Sequence, residues 1–379
     1  ASVWWPNKDH LSDEPDSMRI YCEVPKDLTC VVNGNLRSTK KLEDNFVGFE
    51  WFVSYPINNY NVSLNIAHYE HFQEKYTAKD GEKLDLDYYV LDYNLEAAKE
   101  HFKQVKPMLE CYETLFGKYP FWNDGYALVE TSYWGMEHQS AVAYGNNYIN
   151  NEFGFDFIII HESGHEYFGN SISVNDHAEM WIHESFCTYA EALYVECTQD
   201  KKTAIKYLLG QKEKIGNKMP ILGVLNVNYQ SWPDADMYYK GSWMLHTLRA
   251  VVDNDKLWYK TMYDFNQEFL IKNTNSEEGI SCFNKKTGKD LTKIFHQYLK
   301  HLRPPSLLYK FEGKKLLYKW DADVEDFEMP ILAKTSKKGK DFKRNATSKW
   351  QSKKLKSKKN KEIFVNKDLF YAECERSKE

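Results

Sequence analysis

Long apolar runs are missing from this 379-residue chain. The longest candidates, such as Phe157-Ile158-Ile159-Ile160, are core-sized and fall far short of the roughly 20 residues a membrane helix needs, so no membrane span is expected. The amino terminus, Ala1-Ser2-Val3-Trp4-Trp5-Pro6, lacks an initiator Met and the basic-then-apolar order of a signal peptide. It reads as the interior of a longer protein. The seven cysteines (22, 30, 111, 187, 197, 282 and 374) include no Cys-x-x-Cys pair. Their odd number and wide spacing suggest neither a disulfide framework nor a thiolate zinc site. They do not choose between a cytoplasmic and a periplasmic or secreted location. No internal repeat is present.

Aromatic residues, in contrast, are plentiful: 27 Tyr, 21 Phe and 11 Trp, which suits large cores and strand faces. The length allows two or three domains. The net charge of -5 is unevenly spread. Between Lys334 and Lys361 stand 13 Lys/Arg against Asp341 alone, so that segment carries +12 and the remainder -17. An acidic body attracts a cationic ligand, such as the free ammonium of a peptide. The basic run has little aromatic interleaving and is broken by Gly, Ser and Asn. It reads as solvated loops between strands, and no nucleic-acid partner is expected.

The chain changes character twice. Arg19 to Val24, Phe49 to Val53, Val62 to Tyr69 and Tyr88 to Leu91 alternate like strands, with a turn at Asn33-Gly34. Leu95 to Phe116 has helical spacing and stops at Gly117. Gly125 to Glu130 reads as a short strand. Helices are then expected over 157–168, 180–197, 201–209, 240–252 and 291–299. After Pro304-Pro305, short strands return at 307–311, 315–320, 363–365 and 369–371. The expected class is therefore α+β, multidomain.

His161-Glu162-Ser163-Gly164-His165 carries the chemistry. Two His at i and i+4 lie one above the other on a helix, so both imidazoles can reach one ion, and the Glu between them can take a proton from metal-bound water. The apolar run before the motif buries it, and a buried His-Glu-His set is costly without a metal. Catalytic zinc takes three protein ligands and keeps one position open. Glu184, in Trp181-Ile182-His183-Glu184-Ser185-Phe186, is far enough along for a loop and an antiparallel return. Glu179 and Glu191 read equally well as acids that orient a ligand or as solvated surface acids, and Glu191 shares a helical face with Glu184.

With His161, Glu162, His165, Gly169-Asn170 and Glu184, the sequence resembles the aminopeptidase N and leukotriene-A hydrolase family of gluzincin zinc metallopeptidases, in its bacterial type. Gly135-Met136-Glu137-His138 resembles the family's Gly-x-Met-Glu-Asn exopeptidase motif, and Tyr238-Tyr239-Lys240-Gly241 its Tyr-Glu-Lys-Gly segment. The resemblance implies an amino-terminal β-domain over 1–88, partial at its start; a thermolysin-like mixed α/β catalytic domain over 89–303; and a small β-domain over 304–379. It also implies that the start of the first domain and a large carboxy-terminal helical domain are not contained in this sequence.

The implied roles are specific. One Zn2+ per chain would be held by His161, His165 and Glu184, with Glu162 as general base. Tyr238 would stabilise the oxyanion. Glu137 would bind the α-ammonium of peptides with a free amino terminus, beside the strand edge of Gly135 and Met136. The implied reaction is zinc-dependent removal of amino-terminal residues. A catalytically weak peptide-binding relative, or an endopeptidase or epoxide hydrolase on the same scaffold, are the alternatives. The chain departs from the pattern at His138 for Asn, Tyr167 for Trp, Tyr239 for Glu and His183-Glu184-Ser185 for Asn-Glu-Gly. These changes bear on substrate preference, and His138 is expected to titrate near neutrality.

Overall fold

Alternating burial along Met18–Pro25 lets this strand pack one face inward, and it pairs antiparallel with Phe46–Val53 in the register Ile20↔Trp51 and Cys22↔Phe49. Asn35–Lys41 pairs on the other side of Phe46–Val53, after a turn at Gly34, whose φ of +78° and tight approach to the Phe52 carbonyl leave no space for a side chain. The molecule is a computed structural model; it describes residues 2–227, 231–336, 342–355 and 362–378.

A five-stranded sheet comes next, in the spatial order Tyr69–Thr77, Lys83–Leu91, Tyr126–Glu130, Val142–Tyr144 and Gly135–Met136. Its middle strand, Tyr126–Glu130, is buried at every position and runs parallel to both neighbours. The sheet therefore crosses residue 88, and its last strand, Gly135–Met136, forms a free edge. Helices cover this sheet. Trp181–Thr198 is buried from Trp181 to Val195 and packs against Phe157–Gly164, Lys201–Lys212 and Asp236–Val252. Asp255–Glu268, Ser276–Thr287 and Thr292–Lys300 complete this helical layer. The chain is thus α+β and multidomain: β-rich first, then helical, then β again. Among the described residues, no helix is long and apolar enough to cross a membrane.

The last part forms two sheets, one ordered Gln351–Lys354, Lys315–Asp321, Ser306–Glu312, Glu373–Arg376 and the other Phe342–Thr347, Glu328–Lys334, Phe364–Val365. Parts of the basic segment are edge strands here, which keeps their lysines in water. Its residues 337–341 and 356–361 lie outside the described residues.

Four expectations change. Residues 62–69 are not one strand: Asn65–Ala67 pairs with Thr29–Val31, and Tyr69 begins a separate strand of the five-stranded sheet. The helix from Phe157 ends at Gly164, not at residue 168, because the chain turns sharply at 165–168. Residues 369–371 are a strap and not a strand. The Tyr371 N–H donates to Thr247 Oγ1 (3.0 Å) and its carbonyl accepts from the Tyr298 hydroxyl (2.6 Å), so both groups are used across helices instead of in a ladder. Four cysteines pair, Cys22 with Cys30 and Cys111 with Cys197. Spacing alone hides these pairs, since the fold brings Met18–Pro25 beside Thr29–Val31 and Val105–Phe116 beside Trp181–Thr198.

Candidate active site

The helix that carries the two-His motif is fixed at its first turn. Asp156, fully buried, caps it by accepting from the Ile158 N–H (3.0 Å), and its carboxylate also accepts from the Tyr144 hydroxyl (2.8 Å), Asn146 Nδ2 (2.8 Å) and His101 Nε2 (2.8 Å). An Asp directly before an apolar run is a helix-start signal, so this residue was legible in the sequence though not singled out there. From this anchor the helix aims His161 inward near its end, and His165 follows at the carboxy-terminal cap.

His161 and His165 face each other with Nε2 atoms 3.3 Å apart. Glu184, in the first turn of Trp181–Thr198, places Oε2 3.4 Å from Nε2 of His161 and 3.3 Å from Nε2 of His165. The three are buried. On the far side of each ring, Nδ1 is committed. That of His161 lies 2.7 Å from Oε1 of Glu191, and that of His165 lies 2.9 Å from the Phe168 carbonyl. A carbonyl only accepts, so the His165 proton sits on Nδ1 and its Nε2 lone pair points at the other two donors. Glu191 is itself held by the Tyr207 hydroxyl. Glu179, the other carboxylate considered for this task, instead accepts from the Ser276 N–H (2.7 Å) and belongs to the start of a different helix.

These donors fit one divalent cation. In a tetrahedral site with bonds of about 2.0–2.1 Å, neighbouring ligand atoms stand roughly 3.3 Å apart, which is the spacing of all three edges here. Glu184 Oε2 is moreover buried without a hydrogen-bond donor, a costly arrangement for a carboxylate oxygen in the absence of a cation.

Glu162 and Glu137 sit beside this trio. Ligand atoms of Glu137, Glu162 and His165 lie within 4.8 Å of one another. Burial pushes the Glu162 carboxyl up to about 7, His161 pulls it down, and the nearby Glu137 adds to the rise. Such a carboxylate can exchange a proton near neutrality. Gly135 runs along the sheet edge directly over Glu162; a β-carbon at 135 would lie 2.7 Å from Glu162 Oε1 and 2.9 Å from Ile158 Cγ2. Met136 follows in the same two-residue strand, paired with Ala143. His138 is buried, and its imidazole is pushed down to about 4, so it is neutral at pH 7 and the expected titration near neutrality does not occur.

Tyr238 arrives on the first turn of Asp236–Val252, its ring centroid 6.1 Å from that of His161. Negative charge on Glu184 and then burial raise its hydroxyl far above the ordinary range, so it stays a hydrogen-bond donor. Gly241 explains why this helix comes so close: a β-carbon there would strike Ser185 Oγ, which donates to the Met237 carbonyl at 2.7 Å. Lys240 points the other way and donates to the carbonyls of His301 (2.8 Å) and Leu302 (2.6 Å). Tyr239 faces Lys214, whose Nζ lies 5.2 Å from its ring centroid. Gly169, at φ +136°, passes 3.1 Å from His165 Nδ1 when a β-carbon is placed on it, and Asn170 then donates to the Glu137 carbonyl (2.9 Å). All eight residues singled out in the sequence thus converge. Tyr60 was missed; its hydroxyl donates to Glu137 Oε1 at 3.2 Å.

Known proteins resemble this chain in sequence and in fold. The Peptidase family M1 domain matches residues 100–298, more than half of the chain. Aminopeptidase N of Streptomyces lividans is 23% identical over 309 residues, covering 74% of this chain and 35% of that protein. Endoplasmic reticulum aminopeptidase 1 of Rattus norvegicus is 24% identical over 209 residues, covering 49% of this chain and 21% of that protein. The chain therefore spans about a third of the first relative and less of the second. Among solved structures, Legionella pneumophila aminopeptidase A in complex with aspartic acid superposes with a TM-score of 0.79 at 15% identity, over 97% of this chain and 46% of that one. A mutant M1 zinc metallopeptidase from Deinococcus radiodurans, bound to a Tyr-Ser-Ala substrate, superposes with a TM-score of 0.65 at 17% identity, over 79% of this chain and 67% of that one. At such identities the solved structures speak for a shared fold, while the domain match assigns the lineage: this chain belongs to peptidase family M1.

Proposed function

We propose that this chain is a zinc-dependent aminopeptidase that hydrolyses the first peptide bond of peptides with a free amino terminus. The observation that carries this reading is the position of Glu137, a buried carboxylate within 4.8 Å of both the candidate base and a candidate metal ligand. A fixed anion so near the reacting centre pairs with the substrate's α-ammonium and leaves no length for further residues ahead of the scissile bond. The relatives named above as aminopeptidases, and the neighbour named as a zinc metallopeptidase, support the same reading.

His161, His165 and Glu184 would hold the zinc. When bound, zinc polarises the scissile carbonyl and makes a neighbouring water more acidic. Glu162 accepts the proton of the attacking water and passes it to the departing amine, a task suited to a carboxyl that burial raises to about 7. Tyr238 donates to the carbonyl oxygen as it gains charge. The edge strand Gly135–Met136 lies alongside the extended substrate and fixes its direction.

The test combines one substitution and one substrate change. Glu162→Gln keeps size and polarity but cannot take the proton, so kcat should fall by about a thousandfold while zinc content stays at one per chain. Amino-acetylated peptides should resist cleavage. Equal rates on acetylated and free peptides would defeat the exopeptidase reading, and unchanged kcat in Glu162→Gln would defeat the assignment of the base.

A further inference from the structure

We propose that Tyr60, from the β-rich first part of the chain, is a positioning residue that fixes Glu137 for its grip on the substrate ammonium. The inference rests on the aminopeptidase reading and extends it to an element outside the two-His, exopeptidase and Tyr-Lys-Gly motifs. Tyr60 is 77 residues before Glu137 in sequence, yet its hydroxyl donates to Glu137 Oε1 at 3.2 Å.

The tyrosine is held by its own loop. Residues Asn59–Asn61 form a single 3-10 turn, and Asn58 Oδ1 accepts from the Tyr60 N–H (3.4 Å). Five asparagines pin that turn to its surroundings. Asn58 Nδ2 donates to the Leu11 carbonyl (2.8 Å) and to Glu14 Oε1 (3.1 Å), and Asn59 Nδ2 to the Lys8 carbonyl (2.6 Å). Asn33 Nδ2 donates to the Asn61 carbonyl (3.0 Å) and, in the same stroke, to that of Gln139 (2.7 Å), two residues beyond Glu137. Asn61 Nδ2 donates to Asn170 Oδ1 (2.5 Å), and Asn170 Nδ2 donates to the Glu137 carbonyl (2.9 Å).

Glu137 is therefore clamped twice from one loop: its carboxylate by Tyr60 and its backbone through Asn61 and Asn170. A carboxylate that must meet a small cation in one orientation gains from such support, because its rotamers are no longer free. The Tyr60 hydroxyl remains a donor throughout the working range, since burial and the charges of Glu137, Glu184 and Glu14 all raise its pKa far above the ordinary value. Half-buried at the wall of the site, Tyr60 does no proton transfer in this scheme.

The test uses the full chain loaded with zinc and a fluorogenic amino-acid amide. Tyr60→Phe removes one oxygen and should raise KM about tenfold, with kcat within about twofold and with zinc content and melting temperature unchanged. In a Glu137→Gln background the same substitution should move KM by less than about twofold, because the tyrosine acts through that carboxylate. A second readout needs no turnover: affinity for a free amino acid, which carries the ammonium but no scissile bond, should also fall about tenfold in Tyr60→Phe. Unchanged KM and affinity, or an equal effect in the Glu137→Gln background, would overturn the role of Tyr60. A chain that releases no amino-terminal residue counts against the aminopeptidase reading instead, and the affinity comparison still decides on Tyr60.

Discussion

Oε1 of Glu191 lies 2.7 Å from Nδ1 of His161, across thirty residues of sequence and two helices. The contact fixes the imidazole's tautomer and direction, so that Nε2 presents its lone pair beside His165 and Glu184. The Tyr207 hydroxyl and Gln211 Nε2 (3.4 Å) reach the other oxygen of Glu191 and stop it from rotating away.

Glu191→Gln should therefore weaken zinc binding by about 10–100-fold without displacing His161 itself. Competition with a chromogenic chelator measures this directly. Wild-type affinity in the variant would mean that the packing of the two helices alone orients the ring.

Gly135 supplies the next expectation. With only 2.7 Å between a β-carbon at that position and Glu162 Oε1, Gly135→Ala must move either the edge strand or the base. A displacement on this scale at a reacting group costs about a hundredfold in kcat. Zinc content and melting temperature should be retained, because the strand is short and at the rim of its sheet. Full kcat in Gly135→Ala would show that the edge can yield without disturbing Glu162.

Acid stability should depend on His246, which is 3% exposed. Its Nε2 donates to the Asp368 carbonyl (3.0 Å), its Nδ1 has no partner, and burial pushes its pKa down to about 4 from 6.5. The Asp368 hydrogen bond and Glu196 oppose that shift, and Arg249 and Lys201 assist it. Between those two values the unfolded chain binds a proton that the folded chain does not, so stability falls as pH falls, by about 1.4 kcal/mol per pH unit from this residue. The effect is absent above pH 6.5 and complete below about 4. Denaturation at pH 7, 6 and 5 should show a shallower acid slope for His246→Gln, which keeps an N–H donor but does not titrate. An identical slope in both proteins would assign the acid loss to other groups.

Much of the site could be read from the sequence because its parts are local. A two-His spacing, an apolar run before it and an acid at the right distance are each written within a few turns of helix, and helical geometry converts spacing into direction. The acid-capped start at Asp156 was equally local. Tyr238, by contrast, was reached through the resemblance of Tyr238-Tyr239-Lys240-Gly241 to a family segment, and the structure adds that Gly241, one turn on, lets its helix approach Ser185.

What the sequence could not supply were contacts between distant segments. Cys111 and Cys197 are 86 residues apart, and no spacing rule joins them until two helices pack. The same is true of the strap at residues 369–371, which reads as a strand but spends its hydrogen bonds on Thr247 and Tyr298. His138 looked ready to titrate near pH 7 until its burial was known. Composition and local periodicity thus determined the α+β class and the donor set, since those depend on chemistry within a few residues. Only the tertiary structure decided which oxygen meets which nitrogen, how dry each group is, and that Tyr60 reaches Glu137, because desolvation and long-range hydrogen bonds exist only once separate elements have packed.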